Sequence, residues 1–152
     1  MSDPLSIRRE TFIAAPPAAV FAYLTDPEKI VGWMGSHADI HAEVGGLYLL
    51  KGVGRGGAAA RGAFREVVPV HRLAYSFGWE GQAEAPPGST LIEFDLIEQD
   101  GGTLVRMTHS GLPTPELCEN HRRGWAHYLA RLAIVAEGGD PGADRGPNGD
   151  RM

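Results

Sequence analysis

The sequence has a single cysteine, Cys118, so no disulfide can form within the chain. That usage suits a reducing compartment, and a cytoplasmic location is expected. Basic charge is also scarce: 14 Lys and Arg stand against 19 Asp and Glu, for a net charge of −5. The electrostatic footprint expected of a nucleic-acid or anionic-lipid binder is therefore missing. No apolar run approaches the roughly 20 residues of a membrane span. Met1-Ser2-Asp3-Pro4 carries an acid and a proline where a secretory signal would be basic and then apolar. No partner of nucleic-acid or membrane type is expected. Apolar residues are not scarce, at 43% of 152 residues. One domain of this size buries roughly 70% of its unfolded surface and needs no disulfide or metal staple.

Glycine is in excess, with 21 residues, about twice the usual share of about 7%. Five of these lie in GGDPGADRGPNGDRM, residues 138–152, where nothing apolar is larger than alanine before the terminal methionine. Such a segment cannot offset its ordering entropy by burial. We expect one domain over residues 1–137 and a disordered tail over 138–152.

Within the domain, Leu5 to Ala14 reads as a strand between prolines. Pro16-Pro17 opens a helix with Val20, Phe21, Tyr23 and Leu24 as its apolar stripe, and Thr25-Asp26-Pro27 stops it. A short helical turn is expected through Glu28 to Met34. Five strand signals follow, at Gly46 to Lys51, Ala60 to Val68, His71 to Trp79, Ser89 to Glu98 and Thr103 to Ser110. Leu73, Tyr75, Phe77 and Trp79 alternate on one face, as do Ile92, Phe94 and Leu96. Asp100-Gly101-Gly102 is a hairpin turn. Thr114-Pro115-Glu116 caps a closing helix in which Leu117, His121, Trp125, Tyr128, Leu129, Leu132 and Val135 recur at three- and four-residue steps. Gly138-Gly139 ends it. Strand, helix, meandering strands and long helix make an α+β class, with helices on one face of an antiparallel sheet of about six strands.

Several motifs have a plainer reading than the chemistry they suggest. Gly52, Gly54 and Gly57 fit GxGxxG, but a β-rich segment follows instead of a helix. No acid lies at the distance ribose recognition needs, so a hairpin loop is expected. His37 and His41 lack helical periodicity, and His121 and His127 face different ways on the last helix. No set of three or four convergent metal ligands results, and no metal or cofactor is expected. His109 and Ser110 are adjacent on a strand and point to opposite faces. Cys118 lies one turn from His121, but an inert buried thiol is the plainer reading. No catalytic residue is assigned. Arg72, Arg106, Arg122 and Arg123 are expected to lie in solvent.

Phe12–Met34 (FIAAPPAAVFAYLTDPEKIVGWM), Val44–Leu50 (VGGLYLL), Gly62–Trp79 (GAFREVVPVHRLAYSFGW), Gly102–Pro113 (GTLVRMTHSGLP) and His121–Leu132 (HRRGWAHYLARL) run in order along nearly the whole domain. Through them the sequence resembles the SRPBCC superfamily, and within it the branch named for the activator of Hsp-90 ATPase. The resemblance implies the START-like helix-grip fold, a curved antiparallel sheet wrapped around a long C-terminal helix with a cavity between them. Members bind lipids, polyketides or plant hormones there, and some use the cavity as cyclases or hydrolases. The eukaryotic co-chaperones carry a further N-terminal domain, for which this chain leaves no room, so the family name is not by itself a function.

The aromatic residues converge on that interior. Trp33, Phe64, Tyr75, Phe77, Trp79, Phe94, Trp125 and Tyr128, with Met107, are the candidate lining for a small hydrophobic molecule, aromatic or lipid-like. His109 shares the inward face of Val105 and Met107, and His121 shares the stripe of Leu117 and Trp125. Either histidine is a candidate to orient a ligand oxygen or to act as an acid or base. Gly52 to Ala60 and Gly81 to Gly88 are candidate gating loops. A cyclase- or hydrolase-type enzyme, a chaperone partner and a homodimer stay open as alternatives.

Overall fold

A computed structural model describes residues 5–53 and 57–144. Strand β1 (Ile7–Ile13) leads into helix α1 (Pro17–Thr25) and the single turn α2 (Pro27–Ile30). Strands β2 (His37–Ile40), β3 (Leu47–Val53), β4 (Ala58–Val68), β5 (Arg72–Phe77), β6 (Thr90–Gln99) and β7 (Gly102–Ser110) follow, and helix α3 (Pro115–Ala136) closes the fold. Prolines 17, 27 and 115 each sit in a first helical turn, where the missing N–H is no loss. The Asp26 carboxylate accepts from the Glu28 amide, and the Thr114 hydroxyl accepts from the Leu117 amide 3.1 Å away.

All seven strands form one antiparallel sheet in the order β1-β7-β6-β5-β4-β3-β2. This is one strand more than the sequence reading expects. The extra strand, β2, is four residues long and lies at the sheet edge against β3. Only Ala38 and Ile40 face inward on it, while His37 and Asp39 are exposed, so the alternating signal is too short to read. The first strand pairs with the last, Ile7 opposite His109 and Arg9 opposite Met107.

Registers across the sheet stack the inward side chains. Met107 lies opposite Phe94, Ile92 opposite Tyr75, and Tyr75 opposite Phe64. All five are at most 2% exposed. At Gly62 the backbone of β4 presses on β5, and a Cβ there would lie 1.7 Å from the Ser76 carbonyl oxygen. α3 lays Trp125, Leu129 and Leu132 on this apolar face. Burial of each such side chain contributes roughly 1.5–3 kcal/mol.

On the outer face Arg72 differs from expectation. It is the hub of three ion pairs, to Glu66 at 2.8 Å, Asp95 at 3.0 Å and Glu93 at 2.5 Å, and is partly buried by them. Cross-strand register places the acids around it. Its guanidinium is held above its usual range, first by the Glu66 bond and then by Glu93. Arg106 likewise pairs with Glu10 at 2.7 Å. Arg122 and Arg123 do lie on the outer side of α3, bonded to Glu119 and Asn120.

The segment expected to be a disordered tail divides. Residues 138–144 turn back along α3, because Arg131 reaches four carbonyl oxygens at once. It donates to Trp33 at 2.9 Å, Pro141 at 3.1 Å, Gly142 at 3.0 Å and Ala143 at 3.4 Å. Residues 145–152 lie outside the described residues. Among the described residues no helix is long and apolar enough to cross a membrane.

Candidate functional site

Helical spacing places Leu117, His121, Gly124 and Tyr128 on one face of α3. Opposite them the sheet supplies Phe77 at the end of β5, Trp79 just beyond it, Val53 at the end of β3 and Ala58 at the start of β4. Between these walls lies a cavity of about 470 Å³, lined also by Trp125 and Met34. Gln82, Glu84 and Asn120 complete its lining and are exposed. Glu84 is the only Asp, Glu, Lys or Arg among the described residues that line it.

Two indole–imidazole pairs flank the cavity. The Trp79 Nε1–H donates to His121 Nε2 at 2.9 Å, and His121 Nδ1–H donates to the Leu117 carbonyl at 2.8 Å. An indole only donates, so the bond assigns the His121 proton to Nδ1. This bond crosses from sheet to helix. The second pair is deeper. Trp125 Nε1–H donates to His109 Nδ1 at 3.0 Å, His109 Nε2–H donates to Thr90 Oγ1 at 2.8 Å, and the Thr90 hydroxyl donates to the Phe77 carbonyl at 2.7 Å. Every polar atom of that chain is matched.

Burial disfavours the imidazolium form of both rings. It pushes His109 down to about 3, with the neighbouring His121 as a smaller contribution. It lowers His121 too, against the opposing pull of the Leu117 carbonyl. The two ring centroids are 5.3 Å apart, edge to face.

Of the residues singled out from the sequence, the structure brings Phe77, Trp79, His121, Trp125 and Tyr128 to the cavity wall. The other six pack elsewhere in the core. Trp33 donates to the Tyr23 carbonyl of α1 at 2.9 Å. Tyr75 stacks on Tyr48 with ring centroids 4.2 Å apart, and Phe64 packs obliquely on Tyr75 at 5.6 Å. Burial raises the Tyr75 hydroxyl well above its usual range and pushes Tyr48 up to about 12. Phe94 meets the edge of Trp125 at 6.0 Å, Met107 is fully buried beside it, and His109 lies behind Trp125.

Sequence reasoning missed Met34, Val53, Ala58, Gln82, Glu84, Leu117, Asn120 and Gly124 as lining. The helix positions among them were within reach, since Leu117, Asn120, Gly124 and Tyr128 follow the helical period. The loop and strand-end positions carry no such signal.

The expected gating loops fare differently. The Gly81 to Gly88 connection is anchored, with Ala85 only 1% exposed and its carbonyl accepting from the Trp79 amide at 2.7 Å. In the Gly52 to Ala60 loop, residues 54–56 lie outside the described residues. Its GxGxxG match therefore includes the undescribed Gly54, and strand β4 follows it where a dinucleotide site needs a helix. Cys118 is buried, its Sγ 4.0 Å from the Ser6 carbonyl. His41 pairs with Asp39 and His127 with Asp144. Among the described residues no three His, Cys, Asp or Glu side chains gather as metal ligands.

A curved antiparallel sheet gripping one long C-terminal helix, with a cavity between them, defines a helix-grip protein of the SRPBCC type. The family described as "Activator of Hsp90 ATPase homolog 1-like protein" matches residues 14–137, and the chain belongs to that family. An AHSA1-like protein of Rhizobium etli is 62% identical, with a TM-score of 0.72, over 91% of this chain and 85% of that one. The Aha1 dimer of Colwellia psychrerythraea shares the fold at 21% identity and a TM-score of 0.75, over 88% of this chain and 97% of that one. An HSP90 activator of Plasmodium falciparum shares it at 19% identity and a TM-score of 0.70, over 86% and 94%. No curated protein matches the chain.

Proposed function

We propose that this protein binds a small, mostly apolar molecule in the cavity between the sheet and α3. The observation that carries the reading is the cavity itself, about 470 Å³ walled by Phe77, Trp79, Trp125 and Tyr128, with the exposed polar residues Gln82, Glu84 and Asn120 also in its lining. Ligand sites have this size and lining, whereas an ordinary core leaves few voids larger than a water molecule. Proton-transfer chemistry in the same cavity is less well supported. The acceptor nitrogen of each nearby histidine is already engaged by an indole N–H.

Native mass spectrometry of the purified protein, joined to a thermal-shift screen of aromatic and lipid-like compounds, tests the proposal. A copurified adduct or a reproducible shift is expected. At 100 times Kd a ligand stabilises by about 2.7 kcal/mol. No adduct and no shift would overturn the reading. The same spectrum reads whether the chain pairs, as the Colwellia relative does.

The family and the Plasmodium relative favour a second reading, docking on an Hsp90-type chaperone. Stimulation of the chaperone's ATPase by the purified protein is its direct test, and an unchanged rate counts against it.

A further inference from the structure

We propose that Gly124 determines which ligands the cavity accepts, by leaving open a slot in which a planar aromatic ring lies against the backbone of α3. This rests on the binding role proposed above.

Gly124 is the only glycine in the 22 residues of α3. Inside a helix glycine is the least favourable residue after proline, so its presence calls for a reason. Two common reasons fail here. Its φ is not positive, so the backbone does not require it. Close packing does not require it either, because a Cβ added there would meet nothing within 4 Å. The space it leaves belongs to the cavity.

That space has a shape. His121 and Tyr128 stand on the same helix face on either side of Gly124, seven residues or about 10 Å of helix apart. Trp79 is tied to the His121 end by its indole bond, and Trp125, the next residue along α3, also lines the cavity. The notch is one residue wide, floored by helix backbone and edged by aromatic rings. Rings favour offset-stacked or edge-to-face contact with such walls. A flat fused-ring molecule fits this shape. A flexible alkyl chain can bend past a methyl group and has no need of the slot.

The test uses N-phenyl-1-naphthylamine, an uncharged planar probe read by fluorescence, and 1-decanol, read by thermal shift. Wild-type protein should bind both. Gly124→Ala should raise the melting temperature by a few degrees, since alanine is the better helix former and meets no neighbour. It should weaken the naphthylamine at least tenfold, the scale on which one methyl group acts in a filled pocket, and keep most of the decanol shift. Gly124→Leu should abolish naphthylamine binding. Equal naphthylamine affinity in wild type and Gly124→Ala would overturn the slot while leaving the binding role standing. Equal loss of both probes would overturn it as well, as general occlusion. Failure of the wild type to bind either probe would remove the binding role and the slot together.

Discussion

His109 is a polar side chain inside an apolar core, and its cost depends on pH. Neutral, it is matched on both ring nitrogens by Trp125 and Thr90. Protonated at Nδ1, it would set one N–H against the Trp125 N–H in a fully buried site. Its folded pKa, down to about 3, lies below the ordinary value of 6.5. Between these values the unfolded chain holds the extra proton, so stability rises with pH and is lost as pH falls. The slope from this one group approaches about 1.4 kcal/mol per pH unit in that window. His121, lowered in the same direction, adds to it. Urea unfolding from pH 7 to pH 4 should show the slope, and His109→Gln should flatten it. At pH 7 the same substitution should cost about 1–3 kcal/mol, because the Trp125 N–H loses its acceptor. An unchanged slope would mean that His109 is not buried in its neutral form.

Arg131 decides where α3 sits and where the chain goes next. Its guanidinium is buried and donates to carbonyl oxygens, from Trp33 on one side and residues 141–143 on the other. A planar fork with five donors spans both sides, and a lysine ammonium does not. Arg131→Ala should lower stability by about 1.5–3 kcal/mol, the range for hydrogen bonds to a charged group. Arg131→Lys should recover little of it. Hydrogen exchange at Gly142, Ala143 and Asp144 should speed up in both variants. This segment explains one limit of sequence reading: composition describes 138–144 as unable to bury anything, and what anchors it is the Arg131 guanidinium of α3 bonded to its carbonyl oxygens. β2 marks a second limit, since four residues with only Ala38 and Ile40 inward become a strand because β3 offers an edge. By contrast β5, β6, β7 and α3 were legible, because their apolar periods run long enough to fix both type and face. Period 2 places Tyr75, Phe94 and His109 inward with certainty of face. Whether inward means packed or open depends on how far α3 stands from the sheet, and no local pattern records that distance.

Across the whole molecule the interior has two ends with different work. At one end Tyr48, Phe64, Tyr75 and Phe94 fill the space between sheet and helix, ring against ring. At the other end sheet and helix separate, and Trp79 bridges them through a single hydrogen bond to His121. Stability and ligand binding should therefore respond to different substitutions. Tyr75→Leu removes a buried ring from the packed end and should cost a few kcal/mol, below the roughly 3–5 kcal/mol of full truncation to alanine. Naphthylamine affinity should stay within about twofold, provided it is measured on the folded fraction. Trp79→Phe keeps an aromatic wall but removes the bridging N–H, at a cost of about 0.5–1.5 kcal/mol. It should change naphthylamine affinity several-fold and leave His121 Nε2 open to the cavity. Donation from an indole favours the neutral imidazole, so its loss should also raise the His121 pKa. An NMR titration of the ring reads that shift directly. A Tyr75→Leu variant that loses affinity as steeply as stability would show instead that the two ends act as one.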